Sequence, residues 1–463
     1  MRKILIKTRQ ERLLADIITP VGAYLKLRDR FANSFLLESS DYHGTDNSFS
    51  YICCSPLAFF KAQGDEIRVK MPSEEVRKEK LTNLEEQIVA FTTSFENDQK
   101  DGGYIRSGLF GYFNYDSIQH FESVSLKNVS QDIPLAHYTL FQYIIAFDHF
   151  KNECHVIESF VDEPDDTLFR EVLALIQQQN LPGYSFRVNG EISSNITDED
   201  YLKMVKKGIH HCHVGDVFQV VLSRKFEASY QGDDFQVYRA LRSINPSPYL
   251  FYFDYGNHRI FGSSPEAQVV LRDDKATIYP IAGTFKRTGD DVADALLAEE
   301  LKKDPKEDSE HVMLVDLARN DLSHSCENVQ VETYKEIQYY SHVIHMVSKV
   351  TGDVKKNSTF MDIVAESFPA GTLSGAPKIR AMQIIEENEQ QPRGYYGGAV
   401  GFMDFKGNFN HAIMIRSFMS RNNLLRFQAG AGVIAQSKPE SELQEVYNKV
   451  GALKKAIEEA EKI

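Results

Sequence analysis

Apolar and polar positions along this chain change period many times. Strict alternation over residues 218–223 predicts a strand with Gln219, Val221 and Ser223 on one face. Similar short runs at 138–147, 248–254, 259–263, 267–272, 276–281, 398–404, 409–418 and 424–429 predict further strands. Helical spacing predicts a charged amphipathic helix over 74–91 and another over 164–180. Thr197-Asp198-Glu199-Asp200 resembles a capping box that opens a helix toward His211. Asp304, Pro305 and Glu307 fit the N-cap, N1 and N3 positions of a long helix. From Ser437 onward, Leu443, Val446, Val450, Leu453 and Ile457 form one apolar stripe of a terminal helix. Many strands with few long helices, and no regular βαβ period, predict an α+β fold with large antiparallel sheets.

Residues 181–195 are rich in Pro, Gly, Asn and Ser and read as a loop. They divide the chain into an N-terminal region, 1–160, and a second region, 195–457. Length allows two or three domains, or one large interwoven one, for 463 residues. A net charge of −14 argues against general nucleic-acid binding, which needs clustered Lys and Arg. The five cysteines are scattered without a CxxC pair, which fits a reducing compartment. No apolar run approaches the ~18 residues of a membrane span, and the first residues carry no secretory h-region. A soluble, cytoplasmic protein is expected.

The segment Gly371-Thr372-Leu373-Ser374-Gly375-Ala376-Pro377-Lys378 is superficially a phosphate loop. Its glycine spacing and the missing N–H of Pro377 exclude a Walker A loop. It predicts a glycine-flexed turn before a helix, with Pro377 in the first helical turn and Thr372 placed to meet an anion. A plain capped turn is the alternative. Carboxylates gather on two helices. Glu307 and Glu310 share one face, while Glu442, Glu445 and Lys449 lie about 100° round from the terminal helix's apolar stripe. Such a pair of helices could hold Mg²⁺ by oxygen, or could simply carry solvated charge.

Together the motifs resemble those of component I of anthranilate synthase, among the chorismate-utilising enzymes, nearly end to end. In the family's order stand Leu36-Leu37-Glu38-Ser39, Asp216-Val217-Phe218-Gln219, Asn245-Pro246-Ser247-Pro248-Tyr249, Ser263-Ser264-Pro265-Glu266 and Pro280-Ile281-Ala282-Gly283-Thr284. Val343-Ile344-His345, the 371–378 segment, Tyr396-Gly397-Gly398, Ile415-Arg416-Ser417, Gly430-Ala431-Gly432 and a final Glu-x-x-Glu-x-x-x-Lys follow. The resemblance implies an anthranilate/aminodeoxychorismate synthase-like fold, with sheets packed face to face and helices outside. It implies Mg²⁺ between Glu310 and Glu445, with Glu442 and Glu307 close by. Glu266 is implied as the general acid for the C4 hydroxyl of chorismate, and His345 as the residue serving pyruvate elimination. Arg416 and Tyr396 would bind the enolpyruvyl carboxylate. Thr372, Gly283, Thr284, Gly430, Gly432 and Lys449 would complete the substrate site.

Two positions separate close relatives. Gln219 stands where isochorismate and salicylate synthases carry a lysine that activates water, so ammonia is favoured as nucleophile. Ala282 stands where aminodeoxychorismate synthases carry a nucleophilic lysine. Both departures favour anthranilate synthase over an aminodeoxychorismate synthase, and the presence of Glu266, Glu310, His345, Arg416 and Glu445 disfavours an idle tryptophan-sensing subunit. Glu38, Ser39, Asn245, Pro248 and Tyr249 resemble the family's tryptophan feedback site. The chain shows no glutaminase segment, so a separate glutamine amidotransferase subunit is the expected ammonia source.

Overall fold

The computed structural model describes residues 3–39, 49–98, 103–339 and 343–463. Two strands give the molecule its plan. Phe49–Gln63 and Ala136–Asp148 pair antiparallel over almost their whole length, from Phe49 opposite Asp148 to Ala62 opposite Ala136. The first strand takes positive φ at Ser55 and shifts register between Pro56 and Ala58. On either side of that irregularity it acquires different partners: Phe35–Glu38 before it, Glu66–Lys70 after it. Ala136–Asp148 likewise meets Leu109–Phe113 with its first half and Glu153–Phe160 with its second. A bulge that bends both strands therefore feeds two sheets.

The first sheet continues from Phe35–Glu38 through Tyr249–Asp254, Arg259–Ser264, Ser417–Arg421, Leu424–Val433 and Gln219–Gly232. The second continues from Leu109–Phe113 through Ala399–Met403, Phe409–Ile413, Ala267–Arg272, Lys275–Ile278 and Val343–Val354. Phe35, Phe251, Phe253 and Met419 of the first sheet share an inner core with Phe110, Val400 and Ile413 of the second. Phe35 and Phe253 stack at 4.2 Å between ring centres. Helices Asp198–His213, Phe235–Ile244 and Pro439–Ala460 cover the outer face of the first sheet through Val205, Leu241 and Val450. Pro305–Ser325 and Phe360–Ser367 cover the second through Val315, Leu322 and Val364. The expected α+β architecture, sheets face to face with helices outside, is what is found.

Several local expectations need correction. The helix expected over 74–91 covers only Leu84–Thr92, and Arg77–Lys80 is an exposed edge strand. Its four charged residues suit a sheet edge that must not recruit another chain. The 181–195 loop contains an edge strand, Phe186–Ser194, paired with Gln219–Gly232. Its Gly190 has φ +81° beside a register shift, so the glycine signal marked a bulge. The run 276–281 is two strands that lie in succession along one edge of Val343–Val354, interrupted at Tyr279-Pro280. The run 409–418 is also two strands, one in each sheet.

Candidate active site

Two neighbouring pairs of strands change sheet together. Arg259–Ser264 leads into Ala267–Arg272 across Pro265-Glu266, and Phe409–Ile413 leads into Ser417–Arg421 across Met414-Ile415-Arg416. Main-chain bonds tie the crossings: Ile413 N–H donates to Glu266 O at 3.0 Å and Ser263 N–H to Arg416 O at 3.1 Å. Arg416 takes φ +47°, an uncommon conformation for a non-glycine residue. Sheet switching thus delivers a carboxylate and a guanidinium to one seam. Arg416 Nη1 donates to Asn245 Oδ1 at 3.2 Å.

Glu266 sits against the 371–378 segment. Gly371–Leu373 forms a single 3₁₀ turn, and Thr372 Oγ1 donates to Glu266 Oε1 at 3.1 Å. A Cβ on Gly371 would come within 2.0 Å of Leu317 Cδ2, so the turn packs directly on the Pro305–Ser325 helix and a larger residue would have to displace that side chain. Gly375-Ala376 pairs with Gln219 and Val220. Pro377 is the N-cap of Lys378–Asn388, not a residue of its first turn as expected. Lys378 turns away from Glu266, onto Asp321 Oδ2 at 2.9 Å and Glu366 O at 2.7 Å. The turn therefore meets a carboxyl of the protein itself, through Thr372. Burial raises the Glu266 pKa to about 7, against the lowering effects of Thr372, Lys449 and Arg416. The same burial lowers the Arg416 pKa. Glu266, Gln268, Leu314, Asp321 and Thr372 line a cleft of about 370 Å³ of empty space.

A second wall is built on Gln219–Gly232 and Leu424–Val433. Val221 pairs with Gly432 and Ser223 with Gly430. A Cβ on Gly432 would stand 2.4 Å from Gln219 Nε2, so glycine makes room for that amide. Gln219 is 4% exposed, and its Oε1 is buried without a hydrogen-bond partner. Lys449 Nζ donates to Gly430 O at 2.9 Å and pairs with Glu445 at 2.7 Å, while its charge reaches Glu266. Tyr396 is buried, with the Gly430 backbone and Glu445 among its electrostatic neighbours.

A third group lies on the second sheet. Thr284 pairs with His345 and Ala282 with Met346, and the register shift between them leaves Gly283 at φ +74°. A Cβ there would meet Leu301 at 2.5 Å and Glu307 Oε2 at 3.1 Å. His345 Nδ1 lies 3.2 Å from Gly283 O. The carbonyl can only accept, so Nδ1 carries the proton and Nε2 the lone pair. Burial lowers the His345 pKa, aided by the charge of Arg416. The Thr284 side chain lies outside the described residues.

Asp304 Oδ1 accepts from Glu307 N at 3.1 Å, as the predicted cap requires. Glu307 and Glu310 follow in the Pro305–Ser325 helix, and Glu442, 6% exposed, stands with Glu445 in Pro439–Ala460. Among the described residues no three His, Cys, Asp or Glu side chains are grouped to cage a metal. The expected inhibitor residues cluster beside the first sheet. Glu38 pairs with Leu250, and its Oε2 accepts from Tyr238 Oη at 2.6 Å and Arg242 Nε at 2.9 Å. Its Oε1 is buried without a partner. Ser39 and Pro248 are partly buried, and Tyr249 pairs with Ser264. Asn245 ends the Phe235–Ile244 helix, with Nδ2 on Ser247 and Ser263 and Oδ1 on Arg416.

The profile of chorismate binding enzymes matches residues 44–455. Anthranilate synthase component 1 of Acetivibrio thermocellus is 37% identical over 97% of this chain and 94% of its own. That of Thermus thermophilus is 37% identical over 98% and 99%. The chain belongs to the anthranilate synthase component 1 family of chorismate-binding enzymes. Among solved structures, anthranilate synthase component I of Streptococcus pneumoniae superposes with a TM-score of 0.78 at 30% identity, over 96% of this chain and 99% of the other. The menaquinone-specific isochorismate synthase of Escherichia coli shares the fold, with a TM-score of 0.76 at 17% identity. Within this family enzyme, sequence reasoning did not find Arg393, Glu389 or the Asn245–Arg416 bond. Glu389 and Arg393 stand only four apart, but their other partners, Leu373, Val221 and Ser223, are distant in the chain, as Asn245 is from Arg416.

Proposed function

We propose that this chain converts chorismate and ammonia to anthranilate and pyruvate, in the tryptophan pathway. The observation that carries the reading is the Glu266 carboxyl: partly buried in the cleft wall, its pKa raised to about 7 by desolvation, held by Thr372 and faced by Arg416 and Lys449. At pH 7 about half of it is protonated, as a general acid requires. Glu266 gives its proton to the departing C4 hydroxyl, which leaves as water while ammonia bonds to C2, the ring double bond shifts, and the new ammonium gives its extra proton to solvent. Gln219 supplies a hydrogen-bond acceptor there and no useful basicity, which suits a nucleophile that needs no base. His345, neutral and with its lone pair on Nε2, accepts the C2 proton as the ring C3–O bond breaks, and the enolpyruvate released takes up a proton on its methylene carbon to become pyruvate. Arg416 and Tyr396 orient the enolpyruvyl carboxylate.

Glu310, Glu442 and Glu445 are the residues that would hold Mg²⁺. Their donors are all carboxylate oxygens, which suit a hard cation that keeps waters and takes substrate oxygens to complete its shell. When bound, Mg²⁺ supplies Lewis acidity and neutralises the ring carboxylate. Ammonia comes from glutamine through a partner amidotransferase subunit, an expectation consistent with the "component 1" names of the relatives. Tryptophan acts as feedback inhibitor at Glu38, Ser39, Asn245, Pro248 and Tyr249. The five cysteines are all free, as a reducing cytoplasm would keep them. No helix among the described residues is long and apolar enough to cross a membrane.

The test is direct. Purified chain, chorismate, Mg²⁺ and ammonium at alkaline pH should produce anthranilate fluorescence without any partner. An aminated chorismate that accumulates with no anthranilate would overturn the reading.

A further inference from the structure

Behind the substrate-facing residues lies a buried ion pair to which the proposed mechanism assigns nothing. Arg393 is 3% exposed and its guanidinium donates to four acceptor oxygens. Nη1 donates to Leu373 O at 2.6 Å, and Nη2 to Val221 O at 2.8 Å. Nε and Nη2 hold both oxygens of Glu389, at 2.9 and 2.7 Å. The Glu389 Oε1 atom also accepts from Ser223 N at 2.8 Å and Ser223 Oγ at 2.7 Å. The guanidinium carbon also stands 4.8 Å from the Tyr115 ring centre and 5.7 Å from that of Tyr396.

Three of these partners, Leu373, Val221 and Tyr396, belong to segments that carry a site residue. Leu373 follows Thr372, which donates to Glu266. Val221 is two residues beyond Gln219 on the same strand face. Tyr396 is itself a site residue. A buried ion pair is a poor device for stability, since desolvation offsets much of the attraction. Its value lies in geometry, because the planar fork fixes several acceptors at once and a lysine cannot.

We propose that Arg393, braced by Glu389, is a positioning residue that sets the Thr372 turn, the Gln219 strand and the Tyr396 ring relative to one another. Each of its guanidinium nitrogens donates to a protein acceptor, so its assigned role is positioning. It acts on Glu266 through the Leu373 carbonyl and Thr372, so the proposal rests on the reading of Glu266 as the acid.

The test compares Arg393→Lys, Thr372→Val and the double variant in the ammonium-dependent anthranilate assay across pH. Arg393→Lys keeps the charge and loses the fork. It should lower kcat about 10- to 100-fold, the usual cost of a supporting residue. It should also move the Glu266-dependent limb of the pH profile upward, because the Thr372 hydrogen bond that holds this pKa down is loosened. In the Thr372→Val background that upward shift should vanish. A fall in kcat with an unmoved pH limb, or an equal shift in both backgrounds, would overturn the positioning role. If Arg393→Lys fails to fold, Glu389→Gln, which keeps shape and acceptor, must show the same coupled shift or the proposal fails. Wild-type protein that makes no anthranilate from chorismate and ammonium would instead sink the proposed function, so the two failures are distinct.

Discussion

At the scale of single residues, the position of one proton on Glu266 governs both rate and stability. Its folded pKa, about 7, lies above the ordinary carboxyl value of 4.5 because burial disfavours the anion. The folded state therefore binds more protons than the unfolded state between about pH 4.5 and 7, and loses stability as pH rises through that window. Glu266→Gln removes this loss. The variant should melt higher than wild type at pH 8 and at the same temperature near pH 4, by calorimetry. A variant no more stable than wild type at pH 8 would mean that the carboxyl is not buried as an anion there. Activity runs the opposite way. Glu266→Gln should lower kcat about 10²- to 10⁴-fold, the usual range for a general acid. With neutral ammonia held saturating, the wild-type rate should fall as pH rises through about 7, read by anthranilate fluorescence.

At the scale of elements, the site depends on where strands stop being regular, and those places were the hardest to read from the chain. The periods of 259–263 and 267–272 predicted two strands well, and the second became Ala267–Arg272 without change. Alternation carries no mark of a strand that leaves one sheet for the other, so 409–418 looked continuous across Arg416. The helix caps at Thr197 and Asp304 were legible because capping is local chemistry. The interruption at Tyr279-Pro280 was not, because neighbouring β-branched residues kept the apolar run intact. Most site residues were legible only as family motifs. Gly432 shows why: nothing in its neighbours announces that Gln219 Nε2 needs the space. Gly432→Ala should displace Gln219 and cut kcat at least 10-fold while the melting temperature changes by only a few degrees. An alanine variant with wild-type kinetics would show that the Gln219 position is not critical. Asn245→Ala should release Arg416, whose φ of +47° already strains it. Loss of one charge-assisted hydrogen bond, ~1.5–3 kcal/mol, should raise the KM for chorismate about tenfold or more with a smaller change in kcat.

At the scale of the whole molecule, the N-terminal region belongs to the same sheets as the proposed catalytic residues. Phe35–Glu38 is hydrogen-bonded to Tyr249–Asp254, whose other neighbour, Arg259–Ser264, ends next to Glu266. Glu38, Tyr249 and Asn245 are thus tied to the Arg416 crossing through two ladders and one side chain. A ligand held at Glu38 could change the site only by acting differently on two arrangements of these elements. The buried, unpartnered Oε1 of Glu38 would give such a ligand a hold, since a bound ammonium group would satisfy it. Glu38→Gln keeps the volume and an acceptor for Tyr238 but removes the charge that would attract that group. It should weaken tryptophan inhibition at least tenfold and leave kcat and the KM for chorismate within about twofold, because Glu38 does not face the substrate. Isothermal titration with tryptophan and inhibition curves on the same preparation would decide it. Unchanged inhibition with intact activity would move the regulatory site away from Glu38 and leave its buried oxygen a structural cost of the Tyr238–Arg242 cluster.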